Sequence, residues 1–280
     1  MVRSFLAARP WIATVAILGI FLGCWQLATM PPRLTNAQNS EYARMTGASD
    51  GGQKSPLPTP VDVVHRSVEL GRTFFDHSNT NNLGLAWHIL YSMGRVAIGF
   101  FFAMIVAIPL GFLLGLIPYF GKAVNPFIQI LKPISPLAWM PLALYTLKDS
   151  GAAMIFIIFI CAIWPMLINT AAGAAAVRSE WTNVSRVFGL RPMEHIRNVV
   201  LPASVPMILT GIRISIGVAW FVIVAAEMVG AQSGIGYFIW NEWNNLQISS
   251  MVVAIVLIGG IGLVLDLGLK KIGDTLSYRE

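Results

Sequence analysis

Four ionisable side chains lie inside stretches of sequence too apolar to solvate them: Arg95, Lys132, Arg213 and Glu227. A charge in such a stretch is costly in hydrocarbon, so it faces a cavity, water or a partner of opposite sign. Arg213, Trp220 and Glu227 recur at a spacing of seven, which places them on one helical stripe. At about 1.5 Å of rise per residue, Arg213 and Glu227 stand roughly 21 Å apart. They cannot neutralise each other, and each needs another partner or water. Arg213 or Lys132 could supply charge compensation to an anion, or either could pair with an acid on another helix or on a second copy of the chain. Glu227 reads as structural, because a bare carboxylate repels an anion. Arg95 opens its apolar stretch and is expected to snorkel toward lipid head groups, with a ligand role as the other reading.

Proline sets the second group of candidates. The stretch 125–147 carries Pro126, Pro133, Pro136 and Pro141, with Lys132 and Trp139 among them. Each proline frees backbone groups that hydrocarbon cannot satisfy. Interrupted helices often mark a substrate path, and a simple kink is the other reading. Pro165 with Asn169 repeats the theme, since the Asn169 amide can satisfy freed backbone or touch a substrate. The candidate path residues are therefore Lys132, Pro136, Trp139, Asn169, Arg213, Trp220 and Glu227. No nucleophile sits at a recognisable spacing from a base. Cys24 and Cys161 fall in apolar stretches and read as small hydrophobes, with no metal-ligand spacing. Gly115 to Ala123 superficially suggests a phosphate loop, but it has five residues between its glycines and ends in Ala instead of Ser or Thr. This chain is therefore expected to bind no cofactor of its own, and any energy must come from a partner.

Composition dictates which elements position these residues. Of 280 residues, 56% are hydrophobic and only 11% charged, and the mean hydropathy is +0.68. Soluble domains carry about 25% charged residues. The balance excludes a soluble enzyme and a disordered chain, and points to a polytopic all-helical membrane protein. Six spans are expected, at about 11–30, 96–117, 125–147, 152–175, 203–229 and 249–269. The first follows Arg3 and Arg9 like a signal peptide, but it is too long and lacks a clear cleavage site, so it reads as an uncleaved helix. Residues 31–85 form a polar segment. Within it, Val61, Val64, Val68, Leu70 and Phe74-Phe75 alternate with charges, as in an amphipathic surface helix at the membrane face or in a helix that packs on the other spans. The net charge of +6 reflects basic loops rather than affinity for nucleic acid. With the N-terminus inside, the inner segments hold Lys122, Arg178, Arg186, Arg191, Arg197, Lys270, Lys271 and Arg279, while the short outer loops hold only Lys148. Both termini are thus expected in the cytoplasm. The domains read as a helix at 1–30, a segment at 31–85 and a five-helix core at 86–280.

The inner segment 176–200 carries a short helix of its own. Ser179 is expected as N-cap and Glu180 in the first turn. Trp181, Val184 and Val187-Phe188 recur at helical spacing and make an apolar face. Gly189 suits the left-handed residue after a helix, and Pro192 suits the first turn of the next. So short a helix gains little from propensity, and its apolar face wants a partner, either its own bundle or another protein. Gly111 with Gly115, and Gly211 with Ser215 and Ala219, are small residues at spacing four that let helices approach closely.

Gly189, nine residues, then Val199-Val200-Leu201-Pro202 resembles the EAA loop of ABC-importer permeases. The family's Glu-Ala-Ala triplet falls here on Asn183-Val184-Ser185, and Val199 stands for an Ile. The resemblance runs from about Trp87 to Asp266. It includes Ser92–Phe100, Ile134–Leu142, Trp164–Thr170, Gly211–Trp220 and Ala226–Met228. Thr146–Asp149 and Gly234–Trp240 are most similar to nitrate-type permeases of the nitrate/sulfonate/bicarbonate branch. The resemblance implies a type I ABC-importer permease fold and an inner-membrane location. It implies a second permease copy, two ABC ATPases that carry ATP and Mg, and a periplasmic substrate-binding protein. It makes Ser179, Glu180, Trp181, Asn183, Val184, Ser185, Phe188, Gly189, Leu201 and Pro202 the ATPase-coupling residues. The implied substrate is a small inorganic anion: nitrate or nitrite, then bicarbonate or cyanate, then sulfonates. A gradient-driven anion carrier is the alternative, and it would have no need of the 176–200 pattern.

Overall fold

Apolar periodicity becomes helix wherever this chain is described. A computed structural model describes residues 10–30, 57–76 and 83–276 and contains no strand among them. The elements in order are α1 (Pro10–Thr29), α2 (Pro60–Arg72), α3 (Leu85–Leu116), α4 (Pro118–Leu131), α5 (Met140–Leu147), α6 (Ser150–Ala175), α7 (Ser179–Val187), α8 (Pro192–His195), α9 (Leu201–Gly230), α10 (Ile235–Asn244) and α11 (Ile248–Leu276). A tight turn at Pro136–Trp139 leads into α5, and a π-helical turn at Ile196–Val200 joins α8 to α9. Among the described residues five helices are long and apolar enough to cross a membrane, and a bent pair brings the count to six when it is taken as one broken span. The six expected spans fit that count, with three changes of outline. The fifth starts at Pro192 instead of about 203. The second span begins at Leu85, well before Val96. The third begins at Pro118 and is broken, its halves Pro118–Leu131 and Pro136–Leu147 meeting at 85°.

The described residues fall into two units, one of residues up to Phe74 with Glu242–Val253, the other of Phe75–Asn241 with the residues from Ala254 onward. In the first unit α1 carries no charged residue. The start of α2 is fixed by a capping box. The Thr59 hydroxyl accepts the Asp62 amide at 3.2 Å, and the Asp62 carboxylate accepts the Thr59 amide at 3.0 Å. Arg66 then ties α2 to the first turn of α11, its Nε donating to Ser250 Oγ at 2.8 Å. Val61, Val64 and Val68 are exposed.

In the second unit the core is a sandwich of α3, α6 and α9. Small residues let it close. On α3, Gly99, Ala103, Ala107 and Gly111 recur at spacing four and are buried, and Gly115 continues the row. A β-carbon on Gly111 would stand 2.6 Å from Thr170 Cβ, and one on Gly99 2.7 Å from the Ile155 carbonyl. On α9, a β-carbon at Gly211 would meet Asn169 Cβ at 2.9 Å. Ser215 Oγ donates to the Ala162 carbonyl at 2.7 Å, and Ala219 is fully buried. Both small-residue motifs expected from sequence are therefore helix contacts. Gly111→Leu should drive α3 off α6 and destabilise the protein by about 1–3 kcal/mol. Gly94→Leu is the control, because a β-carbon there meets nothing within 4 Å. Thermal denaturation of the two solubilised variants compares them, and equal midpoints would refute the close-packing argument.

Candidate functional site

The loop end of the second unit is built around α7. Arg178, in extended conformation, is the N-cap, and Ser179 is the first helical residue. The expectation of Ser179 as N-cap is corrected: Arg178 has the extended backbone that the position requires, and no side chain caps the helix. Glu180 sits in the first turn beside the exposed Arg178, 3.5 Å away. At the far end Gly189 takes φ +66°, as expected. Its amide donates to Arg186 and that of Leu190 to Ser185, the double closure typical of a left-handed glycine terminus. Pro192 then opens α8, and the Glu194 carboxylate accepts the Arg191 amide at 2.9 Å.

Only Ser185 of α7 is buried. Asn183 is exposed. The apolar face stands open, with Val184 53%, Val187 85% and Phe188 77% exposed. Trp181, Val184 and Phe188 form one wall of an apolar groove of about 1210 Å³, and Leu201, Pro202 and Val205 at the start of α9 form the other. The Gly-to-Leu-Pro spacing read from the sequence therefore has a structural meaning. It sets the turn, α8 and the π-helical joint so that Leu201 and Pro202 face α7 across that groove.

At the other end of α9 lies a buried ionic cluster. Glu227 is fully buried. Its Oε1 accepts Arg95 Nη1 at 2.7 Å, and its Oε2 accepts the Ser92 hydroxyl at 2.7 Å and the Gly236 amide at 3.1 Å. Arg95 also donates to the Ser233 carbonyl at 2.7 Å and to Ser233 Oγ at 2.9 Å. The expectation that Arg95 snorkels outward is corrected. It turns inward, because a buried carboxylate is a better partner than head groups for a side chain that starts well inside α3. The amides of Gly234 and Ile235 donate to His88 Nδ1 and Ser92 Oγ at 3.1 and 2.9 Å. The open N–H groups of α10 are thus met by three side chains from α3 and α9, and the carboxylate sits where the helix dipole favours it. Gly234 and Gly236 are required here. Gly234 has φ +119°, and a β-carbon on it would strike the Glu227 carboxylate.

The remaining candidates separate by partner. Arg213 is paired with Asp266 of α11 through two bonds of 2.5 and 2.6 Å. Trp220 Nε1 donates to the Ile258 carbonyl at 3.0 Å. Asn169 Nδ2 donates to the Pro165 carbonyl at 2.8 Å, a bond within its own helical turn. Pro136 and Trp139 form the turn at the break of the third span. Lys132 caps α4 at that break and lines a second pocket of about 340 Å³. The structure does not bring the seven candidates to one place. Sequence reasoning missed His88, Ser233 and Asp266 as partners. Asp266 was findable, since it is the acid inside the last apolar stretch.

Comparisons with known proteins agree with this geometry. The model for "Binding-protein-dependent transport system inner membrane component" matches residues 70–275. A nitrate import permease protein, NrtB, of Synechocystis sp. is 44% identical over 216 residues, 77% of this chain and 78% of that one. A bicarbonate transport system permease protein, CmpB, of the same organism is 42% identical, covering 82% of each chain. A solved structure titled as an inward-facing conformation of the MetNI methionine ABC transporter superposes with a TM-score of 0.62 at 17% identity, covering 69% of this chain and 96% of that one. The bundle thus has the type I ABC-importer permease fold, and the chain is a multi-pass transport subunit rather than an enzyme. It belongs to the family of inner-membrane components of binding-protein-dependent transport systems.

Proposed function

We propose that this chain forms the membrane pathway of an ATP-driven importer for a small inorganic anion, with nitrate first. The observation that carries the proposal is the open apolar face of α7 above the groove at Leu201 and Pro202, in a chain 44% identical to a nitrate import permease. Ser179, Glu180, Trp181, Asn183, Val184, Ser185, Phe188 and Gly189 dock on an ABC ATPase, with Leu201 and Pro202 behind them. Two ATPases carry ATP and Mg, a second copy of this chain completes the path, and a periplasmic binding protein delivers the anion. The basic inner loops orient both termini toward the cytoplasm. Residues 1–30 add a helix and 31–85 a periplasmic segment to the core of 86–280. Lys132, Pro136, Trp139 and Asn169 belong to the path, whereas Arg213, Trp220 and Glu227 hold its walls through their partners. Binding of ATP by the partners shifts the chain between two helix packings.

Bicarbonate is the second reading, favoured by the 42% identical bicarbonate permease. The deciding experiment is ATP hydrolysis by the complex in liposomes, with the binding protein loaded in turn with nitrate, bicarbonate or a sulfonate. The nitrate-loaded form is expected to stimulate hydrolysis. Stimulation by bicarbonate alone would move the assignment to that anion. Anion flux with no associated ATPase would refute the importer reading in favour of a gradient-driven carrier.

A further inference from the structure

Of the three cations singled out in the sequence, two are neutralised inside the chain, Arg95 by Glu227 and Arg213 by Asp266. Lys132 is different. It follows the 14 residues of α4 at the break of the third span, and among the described residues no carboxylate lies within 4.0 Å of it. It is exposed on the surface of the single chain, as are Gln129 and Asn125. The three stand at helical spacings of three and four on one face of α4. That face carries a positive charge and two amide donors along about 10 Å of helix. A surface of this kind cannot rest against lipid without penalty. All three side chains line the 340 Å³ pocket, whose opposite wall is Leu167, Ile168 and Ala171 of α6. Those residues lie in the last third of α6, the helix that runs into the α7 loop. At roughly 30 Å³ per water, the pocket has room for an anion and several waters.

We infer that Lys132, Gln129 and Asn125 form a transit site for a monovalent oxyanion at the α7 end of the path. The inference rests on the importer reading above and assigns that path its charge-compensating group. The ammonium supplies the attraction, and the two carboxamides supply N–H donors to the anion's oxygens. The site has one charge, no bidentate arginine and an open, hydratable volume. It therefore holds an anion weakly enough to release it, which is what conduction requires.

The test uses the whole complex, with its ATPases and binding protein made cysteine-free, in a Cys24→Ser background that leaves this chain only the buried Cys161. Lys132→Cys should lower nitrate uptake at least about tenfold, the effect of losing about 1.4 kcal/mol of attraction, while nitrate-loaded binding protein still stimulates ATP hydrolysis. Modification with aminoethyl methanethiosulfonate, which restores a positive charge, should recover uptake. The anionic sulfonatoethyl reagent should not. In Gln129→Cys, which keeps Lys132 and lines the same pocket, millimolar nitrate should slow labelling of the introduced thiol by either reagent without ATP present. Uptake in Lys132→Met within twofold of the parent, equal recovery by both reagents, or labelling insensitive to nitrate would each overturn the site. Loss of ATPase stimulation in the parent complex would instead sink the importer reading, and nitrate protection of the thiol would still be read independently. Lys132→Arg keeps the charge and is expected to transport.

Discussion

Phe188→Glu is expected to uncouple the transporter while leaving the permease folded. Phe188 is 77% exposed, sits at the end of α7, and contacts the groove rather than the helical core. Its replacement therefore costs the isolated chain little. Docking is another matter. A partner that covers this face buries a large aromatic ring at the centre of a small contact, and such anchors are worth about 2–4 kcal/mol when lost. That is roughly 30- to 1000-fold in affinity, and a glutamate adds the penalty of an unpaired buried charge. Co-purification of the ATPases and nitrate-stimulated hydrolysis should both fall by at least the lower figure. Trp181→Glu should behave alike, because Trp181 lines the same groove. Retained docking and normal uptake in both variants would remove α7 from the coupling role.

The second large effect concerns the ionic cluster. Glu227→Ala leaves Arg95, only 15% exposed in its side chain, facing a void, strips the Gly236 amide of its acceptor and leaves the Ser92 hydroxyl only the His88 carbonyl. Breaking one half of a buried pair costs about 3–5 kcal/mol. The expected result is a marked fall in the thermal midpoint of the solubilised protein, with α10 released first. Glu227→Gln keeps the acceptor for Gly236 but leaves the arginine unbalanced, so its midpoint should fall between those of the parent and Glu227→Ala. Adding Arg95→Met to Glu227→Gln should recover part of the loss, since the uncompensated charge is then gone. Additive losses in that double variant would show that the two residues do not act as a pair.

Much of this architecture could be read from the chain because it follows from periodicity. Spans, the short loop helix, its glycine terminus and the small residues at 111, 211, 215 and 219 are local facts, written within a few turns of sequence. The beginning of α3 was not legible. Its first turns carry His88, Ser92 and Arg95, which look too polar for a membrane helix until their bonds to Gly234, Ile235 and Glu227 are seen. Those partners lie more than 130 residues away, and no spacing rule connects them. The same holds for Arg213 and Asp266. The four prolines at 126–141 foretold an interruption, but the size of the bend depends on what packs around it. Gly234-Ile-Gly236 entered as part of a family likeness. Its physical content is that a helix N-terminus is pressed against a carboxylate with no room for a β-carbon.

The π-helical joint at Ile196–Val200 has a mechanical consequence. Because it continues α8 into α9 without a loop, Pro192–Gly230 is one helical rod of 39 residues, about 58 Å long at 1.5 Å per residue. One tip of the rod borders α7 and the other carries Glu227. A tilt of about 5° at the first tip, pivoting there, sweeps the second through roughly 5 Å, close to one helical turn. A tilt imposed at the α7 end of such a rod would reach Glu227 as a displacement of that size. The rod's π-helical turn at Ile196–Val200, wound one residue looser than the rest, forms the joint where it takes up twist.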